Sequence, residues 1–72
     1  MTNTLKVERA KNNYTQADLA EKINVSRQTI NSIEVGKYVP STILALKIAT
    51  VFKTTVEEIF KLEEKDLGNC TD

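Results

Sequence analysis

Two short amphipathic segments, Thr15–Ile23 and Ser26–Ile33, are separated by only Asn24-Val25. In the first, Leu19, Ala20 and Ile23 recur at helical spacing. Thr15 stands where a side-chain N-cap belongs, and Asp18, three residues on, sits near the positive end of the helix. In the second, Ser26 is the cap, Ile30 and Ile33 form the inward stripe and Gly36 supplies the stop. A two-residue connection is too short to fold the helices back comfortably antiparallel, so they cross at a steep angle.

The rest of the chain extends the helical pattern. Only two glycines and one proline interrupt 72 residues, and no stretch alternates apolar and polar residues over a strand length, which predicts an all-α fold. A first helix is expected from Leu5 to about Asn12, ending at Asn12-Asn13, where Asn tolerates a left-handed cap. Pro40-Ser41 opens a fourth, from Thr42 to about Phe52, apolar on most sides and expected to be the central buried helix. Thr55 with Glu58 reads as a capping box that starts a short fifth helix through Ile59 and Phe60. The expectation is a five-helix domain over residues 1–62, followed by an acidic, flexible C-terminal tail over 63–72.

A core built from so short a chain is modest, and association with a second copy would strengthen it. One cysteine, Cys70, and no histidine exclude a disulfide framework and argue against a zinc site. That usage suits a reducing cytoplasm. No apolar run approaches a membrane span, and Met1-Thr2-Asn3-Thr4 is not signal-like. The zero net charge hides a split. Residues 1–55 hold eight basic and four acidic side chains, residues 56–72 two basic and six acidic, so the halves carry +4 and −4. Such a polarity is compatible with a basic face on a polyanion and a tail held away from it. Glu57-Glu58 and Glu63-Glu64 read as solvated acids, and Cys70 as an incidental thiol. Without a histidine, a Gly-rich phosphate loop or a nucleophile elbow, no enzymatic constellation is present and no cofactor is implied.

The third helix has an outer face unusual in kind. Opposite Ile30 and Ile33 stand Arg27, Gln28, Asn31 and Ser32, with Thr29 beside them. A solvated helix face is commonly rich in Glu, Lys and Arg; this one offers a guanidinium, side-chain amides and hydroxyls. Those groups match base edges in a DNA major groove: Arg to guanine, Gln or Asn to adenine, Ser or Thr to phosphate or base. Read alone, the face is also compatible with mere solubility.

The run Thr15-Gln16-Ala17-Asp18-Leu19-Ala20-Glu21-Lys22-Ile23, then Val25-Ser26-Arg27-Gln28-Thr29-Ile30, Ile33-Glu34, Gly36-Lys37-Tyr38 and Pro40-Ser41, resembles the Xre family, the phage Cro/repressor type of helix-turn-helix. The likeness spans about Leu5 to Phe60. It implies a five-helix Cro/repressor-like domain in which Gln16 anchors a phosphate, Gln28 is the principal base reader, and Arg27, Asn31 and Ser32 assist it. It further implies that Thr29, Lys37 and Tyr38 lie along the DNA backbone and that Arg9 and Glu34 form a structural ion pair. For Gln16 and Lys37 the plainer readings, a helix-start residue and a surface lysine, stay open. Asn24 stands where the family usually has Gly, and Glu8 where a small or apolar residue is typical.

The function expected from the resemblance is a dimeric transcriptional repressor bound to double-stranded DNA at a palindromic operator, with no metal and no small-molecule effector. An activator or restriction-controller role would use the same chemistry. The rival reading is an antitoxin-like or adaptor protein whose main partner is another protein. Ile59, Phe60 and Leu62 are candidates for the dimer contact, although Ile59 and Phe60 are equally suited to closing the monomer core.

Overall fold

The computed structural model describes residues 1–67. Four helices follow the expected course: α1 (Leu5–Lys11), α2 (Gln16–Ile23), α3 (Arg27–Glu34) and α4 (Thr42–Val51). A single turn, α5 (Val56–Ile59), follows them. Local chemistry explains the boundaries. Thr15 and Asp18 complete a reciprocal capping box, Thr15 Oγ1 accepting from the Asp18 amide at 3.0 Å and Asp18 Oδ2 from the Thr15 amide at 2.9 Å. Ser26, Ser41 and Thr55 cap the next three helices by the same side-chain contact to the amide three residues on. Chain reversals fall on left-handed residues at Asn13 (φ 59°), Asn24 (φ 61°) and Gly36 (φ 83°). Glu8 is half-buried beside Lys11, whose Nζ lies 3.6 Å from its carboxylate.

Two features go beyond the expected five helices. A two-residue strand β1 (Thr2–Asn3) pairs antiparallel with β2 (Phe60–Lys61), Thr2 opposite Lys61 and Asn3 opposite Phe60. The Thr4 amide extends the pairing by donating to the Ile59 carbonyl at 2.9 Å. A further turn of helix, α6 (Glu64–Leu67), occupies the described part of the segment expected to be a tail. There the Met1 amino group meets Glu63 Oε1 at 2.7 Å and Asp66 Oδ2 at 2.6 Å. Cys70, like the rest of 68–72, lies outside the described residues.

The core gathers Leu5 of α1, Leu19 and Ile23 of α2, Ile30 and Ile33 of α3, Ile48 and Phe52 of the α4 region, and Ile59 and Phe60. Tyr14 and Phe52 add a tilted ring contact at 5.9 Å. α4, expected to be the central buried helix, is covered on one side only. Leu44, Ala45, Ile48 and Ala49 are buried, whereas Ile43 and Leu46 are 69% and 54% exposed.

Candidate nucleic-acid interface

α3 is positioned from its apolar side. Ile30 and Ile33 anchor it in the core, which turns Arg27, Gln28 and Asn31 to solvent and leaves Thr29 and Ser32 half-buried. Its start is doubly fixed: Ser26 Oγ accepts from the Thr29 amide at 3.1 Å and shares a 2.9 Å contact with the Thr29 hydroxyl. At its far end the Ser32 carbonyl accepts from the amides of Lys37 and Tyr38, at 2.9 and 3.2 Å, beyond the left-handed Gly36. Lys37 and Tyr38 are thereby held exposed at the end of α3. Val25, Gln28, Thr29, Ser32 and Tyr38 border an open hollow of about 420 Å³ on this face. An exposed helix side bearing amides, hydroxyls and one guanidinium, next to an open hollow rather than an enclosed cavity, suits a groove surface rather than a small-molecule pocket.

Gln16 adds a connection that sequence spacing did not suggest. At the first turn of α2, its Nε2 donates to Asn31 Oδ1 at 3.2 Å and to Glu34 Oε1 at 3.0 Å, while its Oε1 accepts from Arg27 Nη1 at 3.3 Å. One amide thus ties α2 to both ends of α3 and orients two expected base readers.

Behind this network lies the expected ion pair. Arg9 of α1 donates through Nε to Glu34 Oε2 and through Nη2 to Glu34 Oε1, at 2.5 and 3.1 Å, and its Nη1 reaches the Tyr14 carbonyl at 3.0 Å. Burial pushes the Glu34 carboxyl up, but hydrogen bonds from Arg9 and Gln16 outweigh it and hold the carboxyl below its ordinary value. Asn3 braces the same end of α3 by donating to the Ile33 carbonyl at 3.0 Å. No local pattern marked Asn3, because its contact arises only once β1 is paired.

The candidates for a dimer contact separate. Ile59 and Phe60 pack in the monomer core, Ile59 fully buried and Phe60 8% exposed, whereas Leu62 is 67% exposed. The described residues contain no helix long and apolar enough to cross a membrane.

Comparison with known proteins finds a family and relatives that span most of the chain. The helix-turn-helix family model matches residues 5–59. An HTH-type transcriptional regulator of Methanocaldococcus jannaschii is 54% identical over 66 residues, covering 92% of this chain and 100% of the relative. One of Bacillus subtilis is 47% identical over 66 residues, with the same coverage of 92% and 100%. An Archaeoglobus fulgidus relative bearing the same description is 48% identical over 67 residues, 93% of this chain and 94% of its own.

Proposed function

The chain belongs to the helix-turn-helix family of DNA-binding transcriptional regulators, and from that premise we propose that it is a cytoplasmic, dimeric repressor reading a palindromic operator. One observation carries the reading: Arg27, Gln28 and Asn31 emerge together on the solvent side of a helix whose opposite side is locked into the core. The N-terminal half of α3 enters the major groove. Gln28 takes an adenine edge, Arg27 a guanine, and Asn31 and Ser32 the neighbouring positions one turn on. Gln16, Thr29, Lys37 and Tyr38 follow the phosphates on either side and set the register of the helix in the groove. In this assignment residues 1–62 bind DNA and the acidic residues 63–72 stay off it.

Two copies place two α3 helices in successive major grooves, about 34 Å apart. One small domain makes too few contacts for a specific affinity of about 10⁻⁸ M or tighter, and pairing supplies the remainder. The experiment is selection of bound duplexes from a random pool at physiological salt. Enrichment of a two-fold-symmetric site is expected. Binding that is sensitive to salt but indifferent to sequence would overturn the base-reading assignment.

A further inference from the structure

The outer face of α4 has no role in the monomer. Its solvent side carries Ile43, Leu46, Lys47 and Thr50, and Val39, which precedes the helix, is 64% exposed. Beside Leu46 an open hollow of about 340 Å³ is walled by Val39, Pro40, Ala45, Val56 and Phe60. Scattered apolar residues on a surface need no explanation, but a run of aliphatic side chains next to an apolar recess marks a contact surface.

The charges bordering the face identify its occupant. Lys47 lies toward α2, lining a second hollow with Lys22. On the other side Val56 walls the recess, and the exposed Glu57 and Glu58 follow it in the chain. Among the described residues, none of these four charged side chains is engaged in an ion pair. A partner of uniform charge would meet a like charge along one edge. A second copy, rotated by a two-fold axis passing near Leu46, meets the opposite charge along both, as a self-complementary patch requires.

We infer that the partner seated on this face is a second copy of this chain. Ile43 and Leu46 of each copy pack against the other's Val39-lined recess, and Lys47 of each faces the other's Glu57-Glu58 edge. A pair of ordinary size buries about 800 Å² per copy, so the contact takes in the recess and both charged edges as well as the two aliphatic side chains. The surface shares no residue with Arg27, Gln28 or Asn31, and Val39 directly follows Tyr38, so pairing leaves the reading face free and places the interface beside it. The inference rests on the proposed two-fold reading for its stoichiometry and centres the contact on α4, with Phe60 only at the wall of the recess.

Sedimentation equilibrium of the full chain without DNA tests it. The expected mass is twice the 8.1 kDa of one chain. Ile43→Glu with Leu46→Glu should raise the dimer dissociation constant by about a hundredfold or more. The far-UV circular dichroism spectrum and the binding of a single half-site should be unchanged, because neither side chain is packed in the core or placed on DNA. The melting midpoint should lose its dependence on protein concentration. Lys47→Glu should weaken the pair, and adding Glu57→Lys and Glu58→Lys to the same chain should restore it. A monomeric wild-type chain, or a double variant that stays dimeric, would overturn the inference. A dimer disrupted as expected but lacking sequence preference would uphold this interface while defeating the proposed function.

Discussion

Arg9 and Glu34, twenty-five residues apart in the chain, form a two-point ion pair whose side chains are only 14% and 7% exposed. Because the same carboxylate also accepts from Gln16, this pair fixes α1, α2 and α3 to one another. Removing one partner strands the other in a poorly hydrated site, a loss of roughly 3 kcal/mol by comparison with other buried pairs. Glu34→Ala should therefore lower the melting midpoint by about 12 °C or more in a domain of this size. A midpoint within a degree or two of wild type would remove the structural role of the pair.

Acid should act through the same carboxylate. Its folded value lies below the ordinary 4.5, so the stabilisation is complete above that pH and is lost as pH falls through the folded value. Asp18 is also held low, first by its backbone hydrogen bond from Thr15 and then by the Thr15 hydroxyl, and adds to the loss in the same direction. Thermal melts between pH 6 and 3 are expected to fall most steeply for wild type, and less steeply for Glu34→Gln and for Asp18→Asn. Equal slopes in wild type and Glu34→Gln would show that this ion pair does not govern the acid transition.

What was legible in the sequence was whatever depends on near neighbours. Thr15 with Asp18, Ser26 with the Thr29 amide, and Asn24 at a positive φ are short-range chemistry, so α2, the turn and α3 fall where their residues indicate. The β1–β2 pair was not legible, since two residues carry no alternation and their partners lie at opposite ends of the chain. That pairing also closes over Phe60, which is why a residue equally suited to an interface is found in the core. α4 is apolar on nearly every side, and only the placement of its neighbours decides that Ile48 is buried and Ile43 is not. Gln16 became a brace only when folding brought Arg27, Asn31 and Glu34 around one amide.

The turn itself offers a clean test. Asn24 sits at φ 61° and ψ 50°, a conformation that costs most side chains about 1–2 kcal/mol and glycine little. Asn24→Ala should lower the melting midpoint by about 4–8 °C, the equivalent of some 1 kcal/mol at this chain length. Asn24→Gly should stay close to wild type. If Ala and Gly proved equally harmless, the left-handed turn would not be limiting stability.

Gln16 should show a mixed phenotype. Gln16→Ala removes an amide from Glu34, Asn31 and Arg27 at once, costing about 1 kcal/mol of stability. Calorimetric melts measure that part. The larger expected effect is on DNA, where loss of a phosphate contact and of the restraint on Arg27 should weaken binding about tenfold, against only about twofold for an exposed Ala17→Ser control. Full affinity in Gln16→Ala would confine the residue to bracing.

Gln28 and Lys37 separate reading from gripping. Gln28 is exposed on the outer side of α3, so Gln28→Ala should cost about 1–3 kcal/mol on the selected operator and relax preference at one base pair of each half-site. Lys37 lies beyond the end of α3, held by its own backbone amide, with its ammonium free to meet a phosphate. Lys37→Ala should weaken selected and random duplexes alike and reduce the slope of log affinity against log salt by about one. Anisotropy titrations of both duplexes at several salt concentrations distinguish the two effects. A Gln28→Ala protein with unchanged preference would move base reading to Arg27 and Asn31. A Lys37→Ala protein with an unchanged salt slope would take that lysine off the backbone.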